Sequence, residues 1–304
     1  MKNYLIIICI TTMLFSCKNA SKSENGKLNI VTTTSMITDL VTNIGGDLIN
    51  IQGLMGSGVD PHLYKASEGD VSKLANADII FYNGLHLEGK LVEVFEKMEH
   101  QNIHTVAVSD ALDKNTLIGS EYFASNYDPH IWFNVDYWVL AGEYVTEILK
   151  EALPEHTQTL ETNWKSYQSE LYNLKEDLFK IVETLPKDQR ILVTAHDAFN
   201  YFGKAFDFEV VGLQGLSTAT EAGVQDVQRL AAFIIEKQVK AIFIESSVPR
   251  RTIEALQAAV NSKGHQVEIG GTLYSDALGN PGTVEGEYIG MFRYNVNTIV
   301  NALK

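Results

Sequence analysis

From Pro154 to Thr184 the chain reads PEHTQTLETNWKSYQSELYNLKEDLFKIVET, a stretch with no glycine and no proline after the first residue. Leu160, Trp164, Tyr167, Leu171, Leu174, Leu178, Ile181 and Val182 recur at helical spacing, one apolar stripe among Glu, Lys and Gln. Pro154 suits a helix start, and Pro186 forbids continuation. The spacing predicts one long helix over 154–185, and thirty such residues would run roughly 45 Å. On both sides of it the grammar changes to alternating strands and helices. Upstream, strands are expected at Leu28–Thr34, Ile49–Leu54, Ala77–Asn83 and Asn102–Val108, with helices over 37–44, 68–75 and 88–98. Downstream, strands are expected at Arg190–Ala195, Glu209–Leu213, Val239–Ile244 and Gln266–Ile269, with helices over 221–237, 249–263 and 285–303. Such alternation implies parallel sheets covered by helices. The predicted fold class is therefore α/β, two lobes each with a mostly parallel sheet flanked by helices, at 28–150 and 188–304, joined by one long helix. A cleft between lobes is a usual place for a ligand.

The N-terminus carries an address. Lys2 precedes the apolar run Tyr4-Leu-Ile-Ile-Ile-Cys-Ile10 and then Thr11-Thr-Met-Leu-Phe-Ser-Cys17. The run is too short for a membrane span, which needs roughly 20 apolar residues, and reads as a secretory signal over 1–17. Leu14-Phe15-Ser16-Cys17 resembles a bacterial lipobox, which implies lipidation at Cys17. One acyl chain holds weakly, so firm anchoring needs more than one. Residues 18–27 read as a polar tether. The expected location is extracytoplasmic, lipid-anchored to a bacterial membrane, in the periplasm or at the cell surface.

Only two cysteines are present, Cys9 and Cys17, both within the signal. The mature chain then lacks disulfides, thiolate ligands and a cysteine nucleophile. Any soft-metal chemistry must come from His and carboxylates. The formal charge of −14 argues against nucleic acid as a partner and mildly favours attracting cations.

Among eight histidines, two share a setting: Asp60-Pro61-His62 and Asp128-Pro129-His130. With six prolines in the chain, one such triplet is rare by composition and a second rarer. Proline fixes its own φ and pushes its predecessor to an extended form, which stiffens the loop and aims the imidazole. A metal ligand needs that rigid aim. His196 follows Ile191-Leu-Val-Thr-Ala195 at the end of a predicted strand, where α/β ligand sites gather, and Asp197 is placed to cap the next helix. Asp276 lies in the Gly-rich loop 270–282. Taken alone, His196 also fits a structural role and Asp276 a solvated one. Neutral imidazoles with one carboxylate suit zinc and related first-row ions in four-coordinate geometry.

Six motifs then stand in order: Asp60-Pro-His62-Leu-Tyr, Asp128-Pro-His130-Ile-Trp, Ala195-His196-Asp-Ala-Phe-Asn-Tyr-Phe-Gly203, Gly212-Leu-Gln-Gly-Leu-Ser-Thr218, Ile242-Phe-Ile-Glu-Ser-Ser247 and Leu273-Tyr-Ser-Asp276-Ala277. The series resembles the zinc/manganese solute-binding lipoproteins of ABC importers, the TroA-like group, over essentially everything after the tether. The resemblance implies two α/β lobes on a rigid long helix with the metal between them. It implies His62 and His130 as ligands from the first lobe, and His196 and Asp276 from the second. Glu245 is a candidate to support a ligand from behind. The implied partners are a Zn2+ or Mn2+ ion as transported cargo, an ABC permease with its ATPase, and the membrane through the anchor. A monomer is expected. Members dedicated to manganese carry Glu where this chain has His196, and three imidazoles favour zinc. Many zinc specialists carry a His-rich acidic loop between the first two motifs, whereas 63–129 holds only His86, His100 and His104.

The chain is not expected to be an enzyme. The rival reading is a zinc hydrolase built on the same cluster, but catalytic zinc keeps an open position for water, and no His-Glu-x-x-His or Gly-x-Ser-x-Gly motif is present. A binder of a larger chelated ligand would not need so concentrated a His set. A role in cell adhesion would not account for the ligands, though it is compatible with metal binding. Because His must be neutral to bind, affinity is expected to fall below roughly pH 6.

Overall fold

The computed structural model describes residues 26–304 apart from Tyr122; the signal over 1–17 with Cys17, and the tether up to its last two residues, lie outside the described residues. The N-terminal half opens with β1 (Leu28–Thr32), α1 (Ser35–Gly45), β2 (Ile49–Gly53), α2 (Glu68–Ala75), β3 (Ile79–Tyr82), α3 (Val92–His100) and β4 (His104–Ala107). All its strands are parallel, in the order β2-β1-β3-β4, with Leu28 opposite Ile49 and Ile30 opposite Ile79. Side-chain caps define where helices begin. Thr34 accepts from the Ile37 amide at α1, and Ser67 with Asp70 forms a capping box at α2.

Next comes a helix that the sequence reading does not predict, α4 (Val135–Ala152), capped by the Asn134 side chain. A short 3₁₀ turn at Pro154–His156 leads into α5 (Thr157–Glu183), 27 residues and so about 40 Å long. Its buried residues are Leu160, Trp164, Tyr167, Leu171, Leu174, Leu178 and Val182, nearly the whole predicted stripe. That stripe packs against α1 and α4 of the first half and, in the second, against the final helix.

The C-terminal half runs β5 (Ile191–His196), α6 (Asn200–Phe206), β6 (Glu209–Gln214), α7 (Val224–Lys237), β7 (Ala241–Glu245), α8 (Arg251–Asn261), β8 (Glu268–Leu273) and α9 (Tyr288–Leu303). Here the strands form two parallel pairs, β5–β6 and β7–β8, with β5 lying beside β7. Helices cover both faces of the strands, as an apolar parallel sheet requires. The main core draws on both halves: Leu40, Trp132, Phe133 and Trp138 share it with Phe199, Phe202, Tyr288 and Phe292. Among the described residues, no helix is long and apolar enough to cross a membrane.

Candidate metal centre

Parallel strands bring their C-terminal ends to one edge, and there the two halves face each other. His62 lies in the arm 54–67 that follows β2, and His130 in the connection between β4 and α4. His196 is the last residue of β5, Glu245 the last of β7, and Asp276 stands just past β8. The structure brings His62, His130, His196 and Asp276 together: one ligand-type atom from each lies within 4.8 Å of all the others. All four are buried, His62 at 4% exposure and the rest at 1% or less.

The spacing fits a small ion. His62 Nε2 is 3.4 Å from His130 Nε2, His196 Nε2 is 3.3 Å from Asp276 Oδ2, and His130 Nε2 is 3.6 Å from Asp276 Oδ1. A tetrahedron with bonds of about 2.0–2.2 Å has edges of about 3.3–3.6 Å. His196 Nε2 and Asp276 Oδ1 are moreover buried atoms without a hydrogen-bond partner, a costly condition that a bound cation relieves. A cleft of about 420 Å3 opens nearby, with Phe123, Asp197 and Gln214 in its wall, but none of the four cluster residues lines it. The spacings of the cluster suit a single small ion.

A carboxylate supports each histidine, at ring and backbone for His130 and His196 and at the backbone amide for His62. Asp128 Oδ1 accepts from the His130 amide at 2.9 Å and sits 2.7 Å from its Nδ1, so the proton belongs on Nδ1 and Nε2 offers its lone pair inward. Asp60 Oδ1 accepts from the His62 amide at 2.8 Å. Glu245 Oε1 accepts from the His196 amide at 2.8 Å, while Oε2 lies 2.6 Å from His196 Nδ1, an ion-pair distance short of a well-aligned hydrogen bond. The sequence reading credits the triplets' prolines and overlooks their aspartates. The signal was the acid repeated two positions before each His.

Charge and burial pull these groups apart. Burial lowers the His62 pKa to about 3, with Asp276 only partly opposing. Burial also disfavours the charged form of His196, but Glu245 and Asp276 outweigh it and hold the imidazole well above its ordinary value. Burial would raise Asp276; His196 and the other imidazoles reverse that and keep it ionised. Asp197 does not cap α6, whose N-cap is Phe199 with no side-chain bond. Its Oδ1 instead accepts from the Gly212 amide at 2.6 Å, which secures the end of β5 to β6. His86, His100 and His104 are exposed and stand outside the cluster.

The comparisons with known proteins find relatives named for binding zinc and manganese. The chain is 48% identical to the zinc-binding protein TroA of Treponema pallidum, over 96% of this chain and 93% of that one. It is 46% identical to the manganese-binding lipoprotein MntA of Bacillus subtilis, over 98% and 97%. The solved structure of the periplasmic zinc-binding protein TroA superposes with a TM-score of 0.89, covering 91% of this chain and 99% of that one. The family model described as zinc-uptake complex component A, periplasmic, matches residues 30–302, and the chain belongs to that family.

Proposed function

We propose that this protein captures a divalent transition-metal ion outside the cytoplasmic membrane, zinc ahead of manganese, and delivers it to an ABC-type importer. His62, His130, His196 and Asp276 are its ligands in this reading, with Glu245 holding His196. The observation that carries it is the buried cluster with ligand spacings of 3.3 to 3.6 Å. Relatives named for zinc and for manganese are about equally similar, so the preference rests on the donor set, in which three imidazoles favour zinc. The lobes are assigned to 28–150 and 188–304, with 154–185 as the connecting helix. Cys17 would carry the lipid anchor, and the working partner is a permease with its ATPase, met by a monomer.

A hydrolase needs an open coordination position and a free base near it. Four protein ligands fill a tetrahedron, and both Glu245 oxygens already face His196. The geometry therefore supports carriage over catalysis. Elemental analysis with native mass spectrometry of protein purified without added metal is expected to find one zinc or manganese per chain. Saturating zinc is expected to raise the melting temperature, since ligand at a thousand times Kd adds about 4 kcal/mol. His196→Ala is expected to lose most of that rise; an unchanged rise would remove His196 from the ligand set.

A further inference from the structure

The halves are joined unequally around the cluster. On the His130 side they are fused. The Trp132 indole Nε1 donates to the Ser275 carbonyl at 2.9 Å, the Tyr288 hydroxyl to the Trp132 carbonyl at 2.6 Å, and the Tyr201 hydroxyl to the Asp128 carbonyl at 2.9 Å. His62 sits instead on the arm 54–67. Among the described residues, one hydrogen bond ties that arm to the C-terminal half: the Thr218 hydroxyl donates to Asp60 Oδ2 at 2.5 Å.

Asp60 thus has two tasks, since its other oxygen accepts from the His62 amide. A continuous path runs from the β6–α7 connection, through Thr218 and Asp60, to a ligand. The second triplet has the same design. Asp128 Oδ1 faces His130, and Oδ2 accepts from Asn200 of the C-terminal half at 3.0 Å. There, however, the bond is one among several cross-links, whereas at Asp60 it stands alone. Thr218 is buried, and with Asp60 it lines a cleft of about 380 Å3. A hydrogen bond to a carboxylate is about twice as strong as a neutral one.

We infer that Thr218 is a positioning residue for metal retention, holding the His62 arm in ligating register through Asp60 and so setting the rate of metal release. This rests on the metal-capture reading above. Zinc-loaded protein mixed with excess chelator provides the test. Thr218→Val is expected to release zinc about tenfold faster than wild type, the loss of one charge-assisted hydrogen bond. Thr218→Ser, which keeps the hydroxyl, is expected to stay within about twofold. Saturating zinc should still load one ion per chain in both variants, which general damage to the fold would not allow. Asp60→Ala is expected to speed release at least as much, since it also frees the His62 amide, and adding Thr218→Val to it should change little, because the bond that Thr218 makes is already gone. Thr218→Ala repeats the removal if the valine variant folds poorly. Release from Thr218→Val at the wild-type rate, or a fully additive double variant, would overturn the latch while leaving metal capture intact. Failure of the wild-type protein to load zinc would overturn both.

Discussion

Glu245 directs both carboxylate oxygens at His196, one to its amide and one to its Nδ1. The consequence is a proton. Burial alone would strip it from the imidazole, but Glu245 and Asp276 outweigh burial and favour the charged ring in the metal-free protein. His62, pushed to about 3 by burial, is already neutral. An arriving ion must therefore displace the proton on His196, and affinity falls as pH falls because the proton competes harder. The raised His196 pKa moves the onset of that fall upward. Zinc titrated calorimetrically at pH 7, in buffers of different ionisation enthalpy, is expected to release protons on binding. Glu245→Gln is expected to reduce that release and weaken affinity by about 10- to 100-fold. Proton release unchanged in Glu245→Gln would exclude this role. The members of the cluster were legible in sequence through the local Asp-Pro-His and strand-end His patterns and, for Asp276, through the family resemblance. The contacts behind them were less so, since Glu245 and His196 are separated by 49 residues.

Elements were legible where one face is apolar and ambiguous where close packing overrides local preference. α5 follows its stripe almost residue for residue. Strand β8 was expected to end at Ile269, because Gly270-Gly271 ordinarily breaks a strand, yet it continues to Leu273. A Cβ at Gly270 would come within 2.7 Å of Phe243 and of Ala302, so the glycine there makes room for α9. Helix α4 escaped the sequence reading although Val135, Trp138, Val139, Gly142, Val145, Thr146 and Leu149 bury at helical spacing. Gly142 inside the run hides the pattern, and the structure gives its reason: a Cβ there would lie 2.3 Å from the Trp164 ring of α5. This sets two effects in opposition. Helix propensity predicts that Gly142→Ala stabilises by about 0.5–1 kcal/mol. Overpacking against a buried indole costs about 1–3 kcal/mol, and it is expected to win. Urea denaturation of the metal-free protein should show a lower midpoint for Gly142→Ala; a higher one would mean that α4 and α5 can separate freely.

At the scale of the molecule, two halves recognisable in sequence prove to share one core. Phe133 of the first half lies 4.4 Å, ring centre to ring centre, from Phe199 of the second, and Trp138 stacks at 5.3 Å on Tyr288. Sequence periodicity reports which face of an element is apolar but not which partner covers it, so this fusion was not legible. A shared core ties the halves together, and in the metal-capture reading the charge state of the cluster differs between the empty and the loaded protein. That difference can be read as stability against pH. His62 has a depressed folded pKa, so as pH falls below about 6.5 the unfolded chain gains a proton the fold refuses, and metal-free protein loses about 1.4 kcal/mol per pH unit toward pH 3. His196 is raised when folded, so its contribution is complete below about 6.5 and is lost as pH rises through its higher folded value. In loaded protein neither ring titrates, and the loss above pH 6.5 is absent. The melting-temperature gain from saturating zinc is therefore expected to widen from about pH 6 to about pH 8, as proton competition fades and empty protein loses the His196 contribution. Scanning calorimetry of empty and loaded protein across that range measures it directly, and a gain that stays level or narrows would remove proton displacement at His196 from the mechanism.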